Sequence, residues 1–88
     1  MSWQVSWTSP ARRDLARLPA RIALVILTYV DERLVTNPRR MSKPLQGALE
    51  GYRSARSGDY RVLFRLYEDT NQLVIVRIDH RAHAYRSS

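Results

Sequence analysis

Cysteine is absent from these 88 residues. That removes disulfide frameworks, thiolate zinc sites and cysteine nucleophiles together. Long apolar runs are missing too. The longest, Ile22–Val30, is nine residues interrupted by Thr28, whereas a membrane span needs about 20. The opening segment Met1–Trp7 has neither the basic start nor the apolar stretch of a signal peptide. A cytoplasmic protein that does not enter a membrane is the expectation. HExxH and paired aspartates are lacking, and the carboxylates are scattered. No metal and no cofactor are expected. Lysine is almost missing as well: of 15 basic residues only Lys43 is a lysine, the rest being arginine.

What is present is an ordinary globular composition, 44% apolar and 26% charged, and a strong positive charge. The length predicts one domain over residues 1–88, with little surface to spare for a second core. The net charge is +7 and the isoelectric point is near 10.8. Residues 1–38 hold five basic and three acidic side chains; residues 39–88 hold ten and five. A polyanion is the partner such a balance predicts. Arginine suits phosphate in particular, because its planar fork grips two oxygens at once.

Trp3-Gln-Val5-Ser-Trp7 alternates apolar and polar, the period of a half-buried strand. Ser9-Pro10 predicts a helix start, with Ser9 as cap and Pro10 at the first helical position. Ala11, Leu15 and Leu18 form its stripe, and Pro19 ends it. A second helix is predicted from Pro19 to about Val35. Its broad apolar face holds Ile22, Val25, Ile26, Tyr29 and Val30. Residues 38–51, with two prolines and two glycines, read as irregular.

The remainder reads as β. Ser57-Gly58 predicts a two-residue hairpin turn between Tyr52–Arg56 and Asp59–Tyr67, with Arg56 facing Asp59 and Ser54 facing Arg61. Tyr60, Val62, Phe64 and Leu66 alternate with Arg61, Leu63, Arg65 and Tyr67, so one face is apolar and the other carries arginines. Leu73–Ile78 is apolar nearly throughout and reads as a central strand. The order β-α-α-β-β-β predicts an α+β domain, two N-terminal helices packed on one face of a mostly antiparallel sheet.

The sheet face away from the helices then carries Tyr52, Ser54, Arg61 and Arg65, and the last strand runs out into His80, Arg81, His83 and Tyr85. Metal-free phosphodiester cleavage needs such a set: a base for a ribose 2′-hydroxyl, cations for the phosphorane, and an acid for the leaving 5′-oxygen. Arginine fills the second role only, because it does not deprotonate. Histidine and tyrosine are left for proton transfer. Arg53 alternates to the helix side of its strand.

Leu49-Glu-Gly-Tyr-Arg-Ser-Ala-Arg-Ser-Gly-Asp-Tyr-Arg-Val-Leu-Phe64, followed by Val76-Arg-Ile-Asp-His-Arg-Ala-His-Ala-Tyr85, resembles the RelE/ParE superfamily of bacterial toxins. Ser9–Pro19 and Pro38–Leu45 fit the same pattern, so the resemblance spans nearly the whole chain. It is nearest to the RelE-type mRNA interferases of type II toxin–antitoxin systems. That resemblance implies a ribosome-dependent, metal-independent endoribonuclease that cuts mRNA in the A site. Its implied partners are the ribosome, mRNA and a cognate antitoxin of the RelB, Phd or YefM kind, whose complex binds its own operator DNA. Carried over by position, Arg61 is the transition-state arginine, Arg81 a second arginine at the scissile phosphate, Tyr85 the tyrosine that stacks on the base, and Arg56 a basic group at the hairpin. Where RelE-type toxins have two lysines before the hairpin, this chain has Tyr52 and Ser54. Arg53 and Lys43 are the nearby sources of positive charge, Arg65 is a further candidate for substrate binding, and His83 is the candidate base. The alternative is a ParE-like poison of DNA gyrase without ribonuclease activity; Tyr85 favours the ribonuclease.

Overall fold

The computed structural model describes residues 3–80. Strand β1 (Gln4–Trp7) is followed by helices α1 (Ser9–Ala16) and α2 (Ala20–Tyr29), then by β2 (Ser42–Pro44), β3 (Arg53–Ser57), β4 (Tyr60–Tyr67) and β5 (Gln72–His80). The strands form one sheet in the order β1-β5-β4-β3-β2. β1 runs parallel to β5 and every other neighbour is antiparallel. The expected α+β class, with both helices on one face, is what the chain adopts.

The core lies between sheet and helices. Ala11, Ile26, Val30 and Leu34 meet Ala55, Val62, Phe64, Leu73, Ile75 and Ile78, all buried. The alternation along β4 decides this arrangement: Val62 and Phe64 have no exposure at all, while Arg61 and Arg65 project from the other face.

Several local expectations are corrected. The cap of α1 is Thr8, not Ser9. Its hydroxyl oxygen accepts from Ala11 N–H at 3.3 Å while its own proton goes to the Val76 carbonyl at 3.2 Å. Thr8 is also the last rung on β5, its N–H donating to Ile75 O at 3.0 Å. Tertiary pairing therefore fixes the helix start one residue early. The second helix is not uniform: α2 stops at Tyr29 and a π-helical turn, Val30–Leu34, follows, closed by Val35 N–H on Val30 O at 3.1 Å. This turn sends Val30 and Leu34 into the core. The apolar face of α2 is narrower than its sequence suggests, with Val25 57% exposed and Leu24 64%.

The segment 38–51 is not wholly irregular. Ser42–Pro44 adds a short edge strand, paired Ser42 to Ala55 and Lys43 to Ser54, and Gly47–Leu49 makes one 3₁₀ turn. The hairpin closes over Gly58-Asp59, with Ser57 opposite Tyr60 and Arg56 opposite Arg61. Gly58 has φ +61°, which suits the II′ turn with glycine at its first central position. The register differs from expectation by two residues, so every side chain keeps its predicted face.

Asp14 on α1 ties the helices to β5 where β1 has run out. It is buried, accepts the Ile78 N–H at 2.9 Å, and takes the Arg77 guanidinium at 2.7 and 3.3 Å. This pairing also raises the Arg77 pKa, chiefly through the hydrogen bond. Asp14→Ala leaves that N–H buried without an acceptor, so a loss of about 1–3 kcal/mol is expected in denaturant unfolding. The ion pair itself adds little, because the Arg77 side chain is half exposed. Asp14→Asn retains a carbonyl acceptor and should lose less.

Candidate nucleic-acid site

The face of the sheet away from the helices gathers cations by register. Arg56 on β3 lies directly opposite Arg61 on β4, and two residues along β3 Ser54 lies opposite Leu63 on one side and Lys43 on the other. Arg61 has Asp79 as its cross-strand neighbour on β5. Like charges facing each other across a ladder are destabilising on their own. Arg40, Met41, Ser42, Lys43, Ser54, Arg56 and Arg61 together line an open pocket of about 300 Å³. Four of these seven side chains are basic and none is acidic. Its inner wall holds an unusual group: Ser54 is buried, and its Oγ has no hydrogen-bond partner among the described residues. A buried hydroxyl left unsatisfied costs about 1–3 kcal/mol, so its retention asks for an explanation.

Arg53 does not share that pocket. Its Nε donates to Ser42 Oγ at 2.7 Å, and Nη2 donates to Arg39 O at 3.3 Å and Ser42 O at 3.4 Å. Ser42 Oγ donates in turn to Pro38 O at 2.6 Å. Burial first, and the charge of Arg39 second, hold the Arg53 pKa below its ordinary value. Its geometry is that of a staple: from the helix side it fixes the backbone of the segment that delivers Arg40 and Lys43.

Arg65 lies further along β4, about 13 Å from Arg61 by strand rise. Its guanidinium stacks against Tyr52, 4.9 Å from the ring centroid, and against Tyr67 at 5.6 Å. Gly51, at φ +96°, permits this approach, since a Cβ there would come within 3.3 Å of the guanidinium. Tyr52 and Arg65 are thus neighbours of each other and stand apart from the Arg56–Arg61 pocket. Two contributors escaped sequence reasoning. Arg40 sat in the stretch read as irregular, and Tyr67 was placed on the arginine face by its alternation but given no role. Arg81, His83 and Tyr85 lie outside the described residues. His80 is on the opposite face from Arg61: it pairs with Tyr60, edge to ring at 5.2 Å.

Residues 5–85 match the family described as ParE toxin of type II toxin–antitoxin system, parDE. The chain belongs to this family. Relatives place the toxin within the RelE/ParE superfamily. Toxin RelG of Mycobacterium tuberculosis is 43% identical over 86 residues, which is 98% of this chain and 99% of RelG. Toxin RelE of the same organism is 42% identical over 84 residues, 96% of this chain and 87% of RelE. The crystal structure of the toxin–antitoxin complex RelBE2 from M. tuberculosis includes a chain that superposes on this toxin with a TM-score of 0.88 at 41% identity, covering 92% of this chain and all of that one. The archaeal RelE–RelB complex from Pyrococcus horikoshii gives 0.71 at 23% identity, over 96% of this chain and 100% of that one, a likeness of fold alone. The protein is therefore a toxin of the type II toxin–antitoxin class. No helix of the toxin is long and apolar enough to cross a membrane among the residues described.

Proposed function

We propose that the toxin is a ribosome-dependent endoribonuclease that cuts mRNA in the A site, acts in the cytoplasm without a metal, and is held in check by a RelB-like antitoxin. The observation that carries this reading is the pairing of Arg56 with Arg61 in a pocket that also holds Lys43 and the Ser54 hydroxyl, which has no hydrogen-bond partner among the described residues. A phosphate seated there relieves the repulsion between the two arginines and gives the hydroxyl an acceptor. In cleavage the same cations meet the charge that grows on the phosphorane. Arg81, His83 and Tyr85 complete the proposed site from the end of β5, Tyr85 by stacking on the base. Tyr52 and Arg65 extend the contact along the RNA, and Arg53 acts through the backbone of residues 39–42. Dependence on the ribosome follows from how thin the proton-transfer set is: orientation of the substrate by the ribosome supplies what the toxin lacks.

Mapping RNA 5′ ends after a brief pulse of expression tests the proposal. New ends inside translated codons are the expected result. The family description names ParE, and a second reading is the ParE-like one, poisoning of DNA gyrase without ribonuclease activity. Intact transcripts with an induced DNA-damage response would establish that reading instead.

The antitoxin segment that meets residues 39–88, where ten basic side chains face five acidic ones, is expected to be acidic. Association of toxin and antitoxin should then slow by about tenfold or more between low and high salt, because steering is screened. Stopped-flow measurement across a salt series reads this directly; a rate indifferent to salt points to an apolar interface. The toxin–antitoxin complex is further proposed to bind its own operator DNA.

A further inference from the structure

We propose that Lys43 is the general acid of the cleavage step, delivering its proton to the departing 5′-oxygen. This rests on the nuclease reading above. An alkoxide is a poor leaving group and departs readily only as it is protonated. Of the side chains lining the pocket, Ser42 and Ser54 are neutral hydroxyls, far weaker acids than an ammonium, that of Ser42 already donating to Pro38 O. Arg40, Arg56 and Arg61 carry charge but do not give up a proton, and Met41 has none to give. Lys43 does, as an ammonium with three transferable donor positions. It is also the only lysine in the protein.

Its placement is specific. Lys43 stands directly across from Ser54, on the side of β3 away from Leu63. A phosphate held between Arg56 and Arg61 with an oxygen on Ser54 is therefore flanked by the Lys43 stem. β2 is only three residues long, yet the backbone next to Lys43 is fixed, because Arg53 holds both Ser42 Oγ and Ser42 O. Other proton carriers among the described residues are badly placed. Tyr52 lies two residues before Ser54, just ahead of β3 and about 7 Å away, with its ring against Arg65. Tyr60 and His80 pair with each other on the helix side of the sheet.

In the step, the ribose 2′-oxygen forms a bond to phosphorus and its proton passes to a general base, which releases it to solvent afterwards. The bond from phosphorus to the 5′-oxygen breaks and its electron pair stays on that oxygen, which takes the proton from Lys43 Nζ. The products are a 2′,3′-cyclic phosphate and a free 5′-hydroxyl. The Lys43 amine regains a proton from solvent, so charge and protons balance over the cycle.

The test compares wild type, Lys43→Arg and Arg61→Ala on programmed ribosomes. Two mRNAs are used, one normal and one with sulfur replacing the bridging 5′-oxygen at the cut site. A thiolate leaves without a proton. Lys43→Arg keeps the charge and loses the transferable proton, so it should cut the normal mRNA about 10²–10⁴-fold more slowly than wild type and the sulfur mRNA at nearly the wild-type rate. Arg61→Ala should stay impaired on both. The proposal is overturned if Lys43→Arg cuts the normal mRNA within about threefold of wild type, or if it is equally slow on both. Should wild type cut neither mRNA, the nuclease reading falls, and the role of Lys43 with it.

Discussion

Arg61→Ala is expected to slow mRNA cleavage by about 10²–10³-fold while the toxin stays folded, the usual cost of removing one preorganised donor from a developing charge. The two halves of this statement have separate grounds. Arg61 alternates out of the Tyr60, Val62, Phe64 face, so its truncation opens no cavity among the buried side chains. On the outer face it lies opposite Arg56 and beside Asp79, on the wall of the pocket that holds Ser54 and Lys43. Losing one of two facing cations removes a repulsion, but the attraction to the cross-strand Asp79 goes with it, so thermal stability should change little. Arg61→Lys keeps the charge without the planar fork and should fall between wild type and alanine. Single-turnover cleavage on programmed ribosomes, read beside a thermal melt, checks both halves. A well-folded Arg61→Ala toxin that cuts at the wild-type rate would take Arg61 out of the site.

How much of this was legible in the sequence depends on how local the signal is. β4 was readable because alternation over eight residues is a strong pattern, and it placed Arg61 and Arg65 on the outer face without any tertiary information. Even the two-residue error in the hairpin register was harmless, since the strand period is two. β2 was not readable: three residues, Ser-Lys-Pro, carry no period, and they form a strand only because β3 offers an edge and Arg53 clamps Ser42. With β2 hidden, Lys43 read as a nearby charge rather than a neighbour of Ser54. The face of His80 was lost to a bulge. Between Leu63 and Phe64 the partner on β5 steps from Arg77 to Ile75, passing over Val76. That extra residue inverts the alternation, so Ile78 returns to the core and His80 follows it to the helix side. Nothing in an apolar run announces a bulge, because both of its faces look buried.

Phe64→Ala should have the largest effect on stability, about 3–5 kcal/mol, as the transfer and cavity costs of a fully buried ring add together. Phe64 is the largest side chain with no exposure in the core. It sits on β4, the middle strand of the five, opposite Arg53 on β3 and Ile75 on β5. Helix residues Ile26, Val30 and Leu34 belong to the same buried cluster, so helix and sheet share the void. A domain of this size has only about 4–13 kcal/mol to lose, at roughly 0.05–0.15 kcal/mol per residue. A substantial fraction of the variant toxin is then expected to be unfolded at 37 °C unless the antitoxin is bound, because a ligand of the folded form stabilises it by mass action. The side chain points away from the Arg56–Arg61 pocket, so the defect is one of population rather than chemistry. Cleavage per folded molecule should stay near wild type even as total activity falls. Urea unfolding with activity measured on the same samples separates these quantities. A loss below about 1 kcal/mol would mean that the core closes over the missing ring. A fall in activity per folded molecule would mean that β4 cannot keep its outward arginines in register without Phe64 beneath them.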